Sequence, residues 1–234
     1  MSKAWQEKSE LLRVGVTNAA WLSWRAWVEF VCYGWRRWWW RTRCALWWGW
    51  LDTTPQTLVN EAQGKYASDD DLIYGETLPG TAYELLKRLQ VNDRDIVVDL
   101  GCGRGAVTLV AALAFGAQSV GVDLLPGYIE HGARLVRVLE IGKLARFQEG
   151  DILKCDIPKG TVYFFAGTCL SAEHWQLAVR RLSAVAPVGA RAVSLSQALP
   201  AKDWELISEE SWPFSWGMAT VYLHRRRGRT TKGR

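Results

Sequence analysis

Val98-Asp99-Leu100-Gly101-Cys102-Gly103-Arg104-Gly105 is the stretch that decides how this chain folds. Residues 95–100 form an apolar run of strand length, and residues 106–115 an apolar run of helix length. A glycine-rich turn carries ligand-binding meaning when it joins a strand to a helix in this way. Gly101 permits the tight turn, and Gly103 lets the backbone approach a ligand with no Cβ between them. Further along, Gly121-Val122-Asp123 places an acid at the end of the next apolar run, where a carboxylate can accept the two hydroxyls of a ribose. Gly150-Asp151-Ile152 follows the third run and is placed to hydrogen-bond an adenine amino group.

On both sides of this stretch, helix and strand patterns alternate. Helices are expected over 78–89, 106–115, 128–139 and 172–182. Strands are expected over 95–100, 119–124, 144–148, 161–165, 190–195, 204–208 and 218–224. Strands separated by helices of ten to a dozen residues predict an α/β fold, a Rossmann-like, doubly wound sheet of about seven strands. The last two strands are read as an antiparallel hairpin joined through Trp212-Pro213-Phe214.

A dinucleotide-binding enzyme would carry G-x-G-x-x-G, whereas the glycines here run G-x-G-x-G at 101, 103 and 105. Asp99, two residues before the first of them, suits the amino-acid end of S-adenosylmethionine better than a pyrophosphate. The three elements together resemble the class I, seven-stranded methyltransferases over residues 75–224. That resemblance implies S-adenosyl-L-methionine as cofactor, held by Asp99, Gly101, Cys102, Gly103, Gly105, Asp123, Leu124, Asp151 and Ile152. Tyr74-Gly75-Glu76-Thr77, with the later motifs, is also similar to the non-SET histone-lysine methyltransferases named for disruption of telomeric silencing. It is similar as well to their relatives that methylate the c-subunit lysine of ATP synthase at membranes. In such enzymes this loop folds over the methionine part of the cofactor and helps line the lysine channel, which implies those roles for Tyr74, Glu76 and Thr77. Helix capping by Thr77 or Thr81 is the plainer alternative. After the fourth strand the chain reads Phe164-Phe165-Ala166-Gly167-Thr168-Cys169, without the Asn-rich turn of the histone-directed enzymes. Phe165 and Trp216 are expected as channel walls, and Thr168 as a hydroxyl donor or a helix cap.

Other chemistries leave less trace. The [DN]-P-P-[FYW] turn of adenine and glutamine N-methylation is missing, and neither Cys155 nor Cys169 has the proline neighbour or base of a cytosine-directed nucleophile. The five cysteines form no C-x-x-C pair, so neither a zinc site nor a disulfide framework is legible, and a reducing, cytoplasmic setting follows. His131 and His174 are isolated, and no metal cluster is expected.

Composition sets the first 51 residues apart. Of 15 Trp, 11 lie in the first 50 residues, which carry a net charge of +5; residues 225–234 carry +6, and the stretch between them −6. Charges interrupt the apolar run, so no clean signal peptide and no spanning helix is expected. Indoles favour a membrane–water interface, where Arg side chains can reach headgroups. Residues 1–51 are therefore read as one or two interfacial helices turning near Gly34, followed by a connector over 52–74 and ending in a basic tail over 225–234. Packing of the same segment on the catalytic body, or base stacking on single-stranded nucleic acid, are the competing readings; nucleic acid is not expected as a partner. The expected protein is a cytoplasmic, peripherally membrane-associated protein-lysine N-methyltransferase acting on a membrane-associated or basic protein. A methyltransferase for a lipid-soluble small molecule and a catalytically silent cofactor-binding scaffold are the alternatives.

Overall fold

The computed structural model describes residues 3–48, 75–168 and 170–228. The expected connector over 52–74, with Tyr74, lies outside them, as do Cys169 and the tail from 229.

Four apolar stretches make the centre of one sheet. β1 (Ile96–Leu100), β2 (Gln118–Asp123), β4 (Val162–Phe165) and β5 (Arg191–Leu195) are nearly all buried on both faces, the pattern of parallel strands covered by helices. β3 (Ala145–Glu149) flanks β2, and β6 (Trp204–Phe214) and β7 (Gly217–Arg226) close the other side. The order is β3-β2-β1-β4-β5-β7-β6, with β7 antiparallel to both neighbours. All five strands from β3 to β5 run parallel, and the strand order reverses at β1, with β2 on one side and β4 on the other. In an open α/β sheet that switch point is where a ligand crevice forms.

The helices are α1 (Lys3–Tyr33), α2 (Arg37–Trp48), α3 (Pro79–Arg88), α4 (Ala106–Phe115), α5 (Pro126–Val138) and α6 (Ala172–Val185). Alternate residues of β1 divide the core. Val97 joins Leu85, Leu86, Val107, Val110 and Phe164 under α3 and α4, while Val98 and Leu100 join Tyr163, Trp175, Leu182 and Trp204 under α6. α4 is apolar all round because the sheet covers one side and α2 the other, through Ala45 and Leu46 beside Leu109 and Ala112.

Two expectations need correction. The hairpin does not turn at Trp212-Pro213-Phe214: all three are in β6, and the turn falls at Ser215-Trp216. β6 is the outer edge strand, where a proline's missing N–H breaks no ladder. The basic tail also starts later than 225. Arg225 and Arg226 belong to β7, and the Arg226 guanidinium lies over Trp204 and donates to the carbonyls of Asp203 and Ser183.

The tryptophan-rich segment is two helices turning at Gly34, whose amide donates to the Phe30 carbonyl. One face of the pair packs on the body. Trp38 and Trp39 are core residues, Trp38 stacks on Tyr83 of α3, and the Tyr33 hydroxyl donates to Glu84. The other face is exposed. It presents Trp24, Trp27 and Val31 on α1, Trp35 at the turn, and Arg37, Trp40, Arg41, Trp47 and Trp48 at helical spacing on α2. Between residues 17 and 48 there are five Arg and a single acid, Glu29, which is buried. Among the described residues no helix is long and apolar enough to cross a membrane.

Candidate active site

The glycine loop leaves β1 at the switch point. The amides of Gly101 and Cys102 both donate to the Val122 carbonyl, at 2.8 and 3.0 Å, which ties the loop to the end of β2. Gly101 has φ +78° and Gly105 φ +86°, the left-handed region that glycine enters without cost. Their surroundings differ. A Cβ on Gly101 would meet nothing within 4 Å, whereas one on Gly105 would lie 2.4 Å from Phe147 Cζ. The Phe147 ring of β3 is also the nearest obstacle at Gly132 and presses on Gly121, so it forms the floor of the loop.

Three acids meet at the strand ends. Asp99 is 3% exposed and accepts from the Thr108 hydroxyl, at 3.0 Å, and from the Thr108 amide. Burial pushes its carboxyl up to about 7; Thr108 pulls it back, and neighbouring Asp123 adds to the rise. Asp123 is buried as well. Its Oδ2 accepts the Gly103 amide at 2.8 Å and its Oδ1 the Leu125 amide at 3.0 Å, yet desolvation still raises it. The Leu124 amide bonds the same carboxylate, which leaves about one of its four lone-pair sites for a hydroxyl donor. The Gly150 amide donates to the Asp123 carbonyl, which brings Asp151 and Ile152 alongside. Asp151 folds its own turn by accepting the Leu153 amide, and Ile152 packs against the α6-side core. Leu124 is half-buried beside Asp123.

The loop before α3 is fastened across the glycine loop. Glu76 Oε1 lies 2.5 Å from Nε of Arg104, whose side chain is 7% exposed. The Glu76 amide donates to the Ser215 hydroxyl at 2.8 Å, and the Ser215 amide returns to the Glu76 carbonyl at 3.0 Å. Gly75 leaves no room for a side chain, since a Cβ would sit 2.4 Å from the Trp216 ring. Tyr128, at the start of α5, lies in the fields of Asp123, Glu76 and Arg104, and burial raises its phenol. Thr77 is half-buried in this loop. Neither it nor Thr81 caps α3: the N-cap is Leu78 without a side-chain bond, and Thr81 donates to the Pro213 carbonyl.

The structure thus brings together Glu76, Asp99, the glycine loop, Asp123, Leu124 and Asp151. It places Phe165 elsewhere. That ring is 1% exposed, stacks on Trp175 at 4.7 Å and lies under Gly167, so it supports the turn after β4 from the core and lines no channel. Thr168 is exposed, and the cap of α6 comes from Ser171, which accepts the His174 amide. Cys102 is buried and its thiol raised by burial; Cys155 is raised likewise, which keeps both as thiols. Arg104, Tyr128 and Ser215 were not legible as site residues. The one signal for Arg104 is a charge inside an otherwise small-residue loop. No cluster among the described residues could hold a metal.

This donor set fits S-adenosylmethionine. Two buried carboxylates, with no cation among the causes shifting either, suit a ligand carrying positive charge and ribose hydroxyls. The open space beside Gly101 is the approach that a bulkier residue would narrow.

Comparisons with known proteins agree. The model of histone methylation protein DOT1 matches residues 56–137, and that of a general methyltransferase domain matches residues 97–189. The histone-lysine N-methyltransferase, H3 lysine-79 specific, of Aspergillus fumigatus is 35% identical over 28% of this chain and 13% of its own length. A probable chloroplastic tocopherol O-methyltransferase of Oryza sativa is 34% identical over 42% of this chain and 27% of its own length. The chain therefore spans well under a third of either relative. In fold, it is similar to an RNA methyltransferase from Salinibacter ruber solved with S-adenosyl-L-homocysteine, at TM-score 0.56 and 22% identity, over 67% of this chain and 97% of that one. The DOT1 match ends within α5, so it covers the front loop, the glycine loop and Asp123 but nothing from β3 onward.

Proposed function

We propose that this class I, seven-stranded S-adenosylmethionine-dependent methyltransferase of the DOT1 type methylates a lysine side chain of a protein. The observation that carries the reading is the fastening of loop 75–78 across the glycine loop by Glu76 and Arg104, within the stretch that matches DOT1. When bound, the cofactor supplies a methyl group already activated by its sulfonium. The chain has then to align a neutral amine and keep water away. A lysine amine has an ordinary pKa near 10.4, and entry into an apolar opening lowers it. Trp216, stacked on Phe214 and lying against Gly75, offers one aromatic wall for such an opening. Asp99, buried and raised, orients the cofactor's amino end; Asp123 takes the ribose.

A lipid-soluble small-molecule acceptor is the second reading. The likeness to a tocopherol methyltransferase and a sterol 24-C-methyltransferase of Eremothecium gossypii favours it. Labelled cofactor incubated with soluble and membrane fractions separates the two. Label in protein, lost with Glu76→Ala and Asp99→Ala, supports the lysine reading; label in the lipid extract supports the second.

The same reading places the protein at the cytoplasmic surface of a membrane. Its support is the outward face of α1 and α2, aromatic and basic with no exposed acid between residues 17 and 48. Co-sedimentation with vesicles containing anionic lipid is expected, and replacing Trp40, Trp47 and Trp48 together with Ser should reduce the bound fraction at least about fivefold. Equal binding by the triple variant contradicts this placement.

A further inference from the structure

We propose that α1 positions the front loop over the cofactor site, and that Glu29 is its positioning residue. The inference rests on the cofactor site described above and is independent of which acceptor is methylated.

α3 begins directly after loop 75–78, and its first amides need acceptors. Its own N-terminus supplies none: the N-cap is Leu78 and the next residue is Pro79. The acceptor comes from α1, where Glu29 Oε1 receives the Gly80 amide at 2.9 Å. A carboxylate there also meets the positive end of the α3 dipole. The fit is close, since a Cβ on Gly80 would lie 2.8 Å from the same oxygen. Glu29 is 1% exposed, and its other oxygen lies 3.4 Å from the Trp39 indole nitrogen. Burial raises its carboxyl, against the Gly80 amide, Arg43, Trp39 and Arg25. The buried carboxyl thereby ties the start of α3 to α1.

Two turns earlier on α1, Trp21 Nε1 donates to the Phe214 carbonyl at 2.9 Å, at the end of β6. The next residue is Ser215, which exchanges two hydrogen bonds with Glu76. Thr81 of α3 closes the circuit by donating to the Pro213 carbonyl at 2.6 Å. α1 therefore grips both supports of the front loop, α3 through Glu29 and the β6–β7 turn through Trp21. Glu76 conveys that position to Arg104 in the glycine loop. Neither Glu29 nor Trp21 takes part in holding the cofactor.

The test is titration of S-adenosylmethionine into the full chain by calorimetry, with hydrogen exchange at residues 75–78 and thermal unfolding measured alongside. Glu29→Ala should weaken cofactor binding about tenfold, the scale of a lost charge-assisted hydrogen bond, and speed exchange in the loop. Glu29→Gln keeps an oxygen for the Gly80 amide and should stay within about threefold of the parent. Trp21→Phe keeps an aromatic side chain, loses the indole donor, and should weaken binding about threefold with faster exchange; it carries the test if Glu29→Ala does not fold. A folded Glu29→Ala or Trp21→Phe variant with parental affinity and unchanged exchange at 75–78 overturns the proposal. So does a lowered melting temperature alone, which would make α1 a scaffold only. Because the titration needs no acceptor, failure of the lysine reading leaves this result standing.

Discussion

Asp99→Ala is expected to weaken S-adenosylmethionine binding by about a hundredfold or more, since it removes a buried carboxylate facing a cationic ligand. The parent protein should also show a pH dependence that the variant lacks. Burial holds the Asp99 carboxyl near 7, against an ordinary value of 3.8. Below pH 7 the group keeps its proton in the folded protein and offers no negative charge to the ligand. Cofactor affinity should therefore fall about tenfold per pH unit on going below 7 and level off above it. The stability of the unliganded protein moves in the opposite sense. The folded state binds this proton more tightly than the unfolded chain does, so the contribution is present near pH 4 and is lost as pH rises through 7. Calorimetric titration from pH 5.5 to 8.5 on the parent and on Asp99→Asn checks the affinity, and denaturant unfolding of both without ligand from pH 4 to 8 checks the stability. An affinity that is flat with pH in the parent would show that Asp99 does not face the ligand's charge.

Gly105→Ala and Gly101→Ala should separate stability from binding within one loop. Both positions have positive φ, which costs an alanine about 1–2 kcal/mol. At Gly105 the new methyl would also meet the Phe147 ring at 2.4 Å, and overpacking of that kind adds roughly 1–3 kcal/mol. Phe147 cannot withdraw easily, because Gly121 and Gly132 already press on it. Gly105→Ala is thus expected to lose about 2–5 kcal/mol of stability. Gly101→Ala should lose only the strain, about 1–2 kcal/mol, because its methyl enters open space. That space is where the ligand approaches, so Gly101→Ala should weaken cofactor binding about tenfold while remaining folded. Denaturant unfolding and calorimetry on both variants check the split. Equal stability losses, or an unchanged affinity for Gly101→Ala, would contradict the placement of the cofactor beside Gly101.

The central half of the sheet was legible because its signals are local. An apolar run ending in Asp99, three spaced glycines and the apolar 106–115 stretch determine β1, the loop and α4, and the observed α4 has those bounds. The acids at 123 and 151 follow strand ends, and the structure gathers them at one edge. What was not legible depends on distant partners. Pro213 reads as a turn until β6 is known to be an edge strand. Phe165 reads as a channel wall because it ends a strand at the site edge, but alternation along β4 turns its ring toward Trp175. Glu29 belongs to no motif in the sequence; only the packing of α1 on α3 shows it reaching Gly80. The tryptophan-rich segment reads in sequence chiefly as an interfacial appendage. One face of it is in the core through Trp38 and Trp39, while the outward face keeps the composition that suggests an interface.

The most direct measurement is the chemical identity of the methylated group. The full chain is incubated with methyl-labelled S-adenosylmethionine and membrane and soluble fractions, and labelled protein is hydrolysed to its amino acids. Label is expected as methylated lysine and should be lost with Asp99→Ala. Label confined to the lipid extract, or no transfer to any fraction by a chain that binds the cofactor, would contradict that expectation.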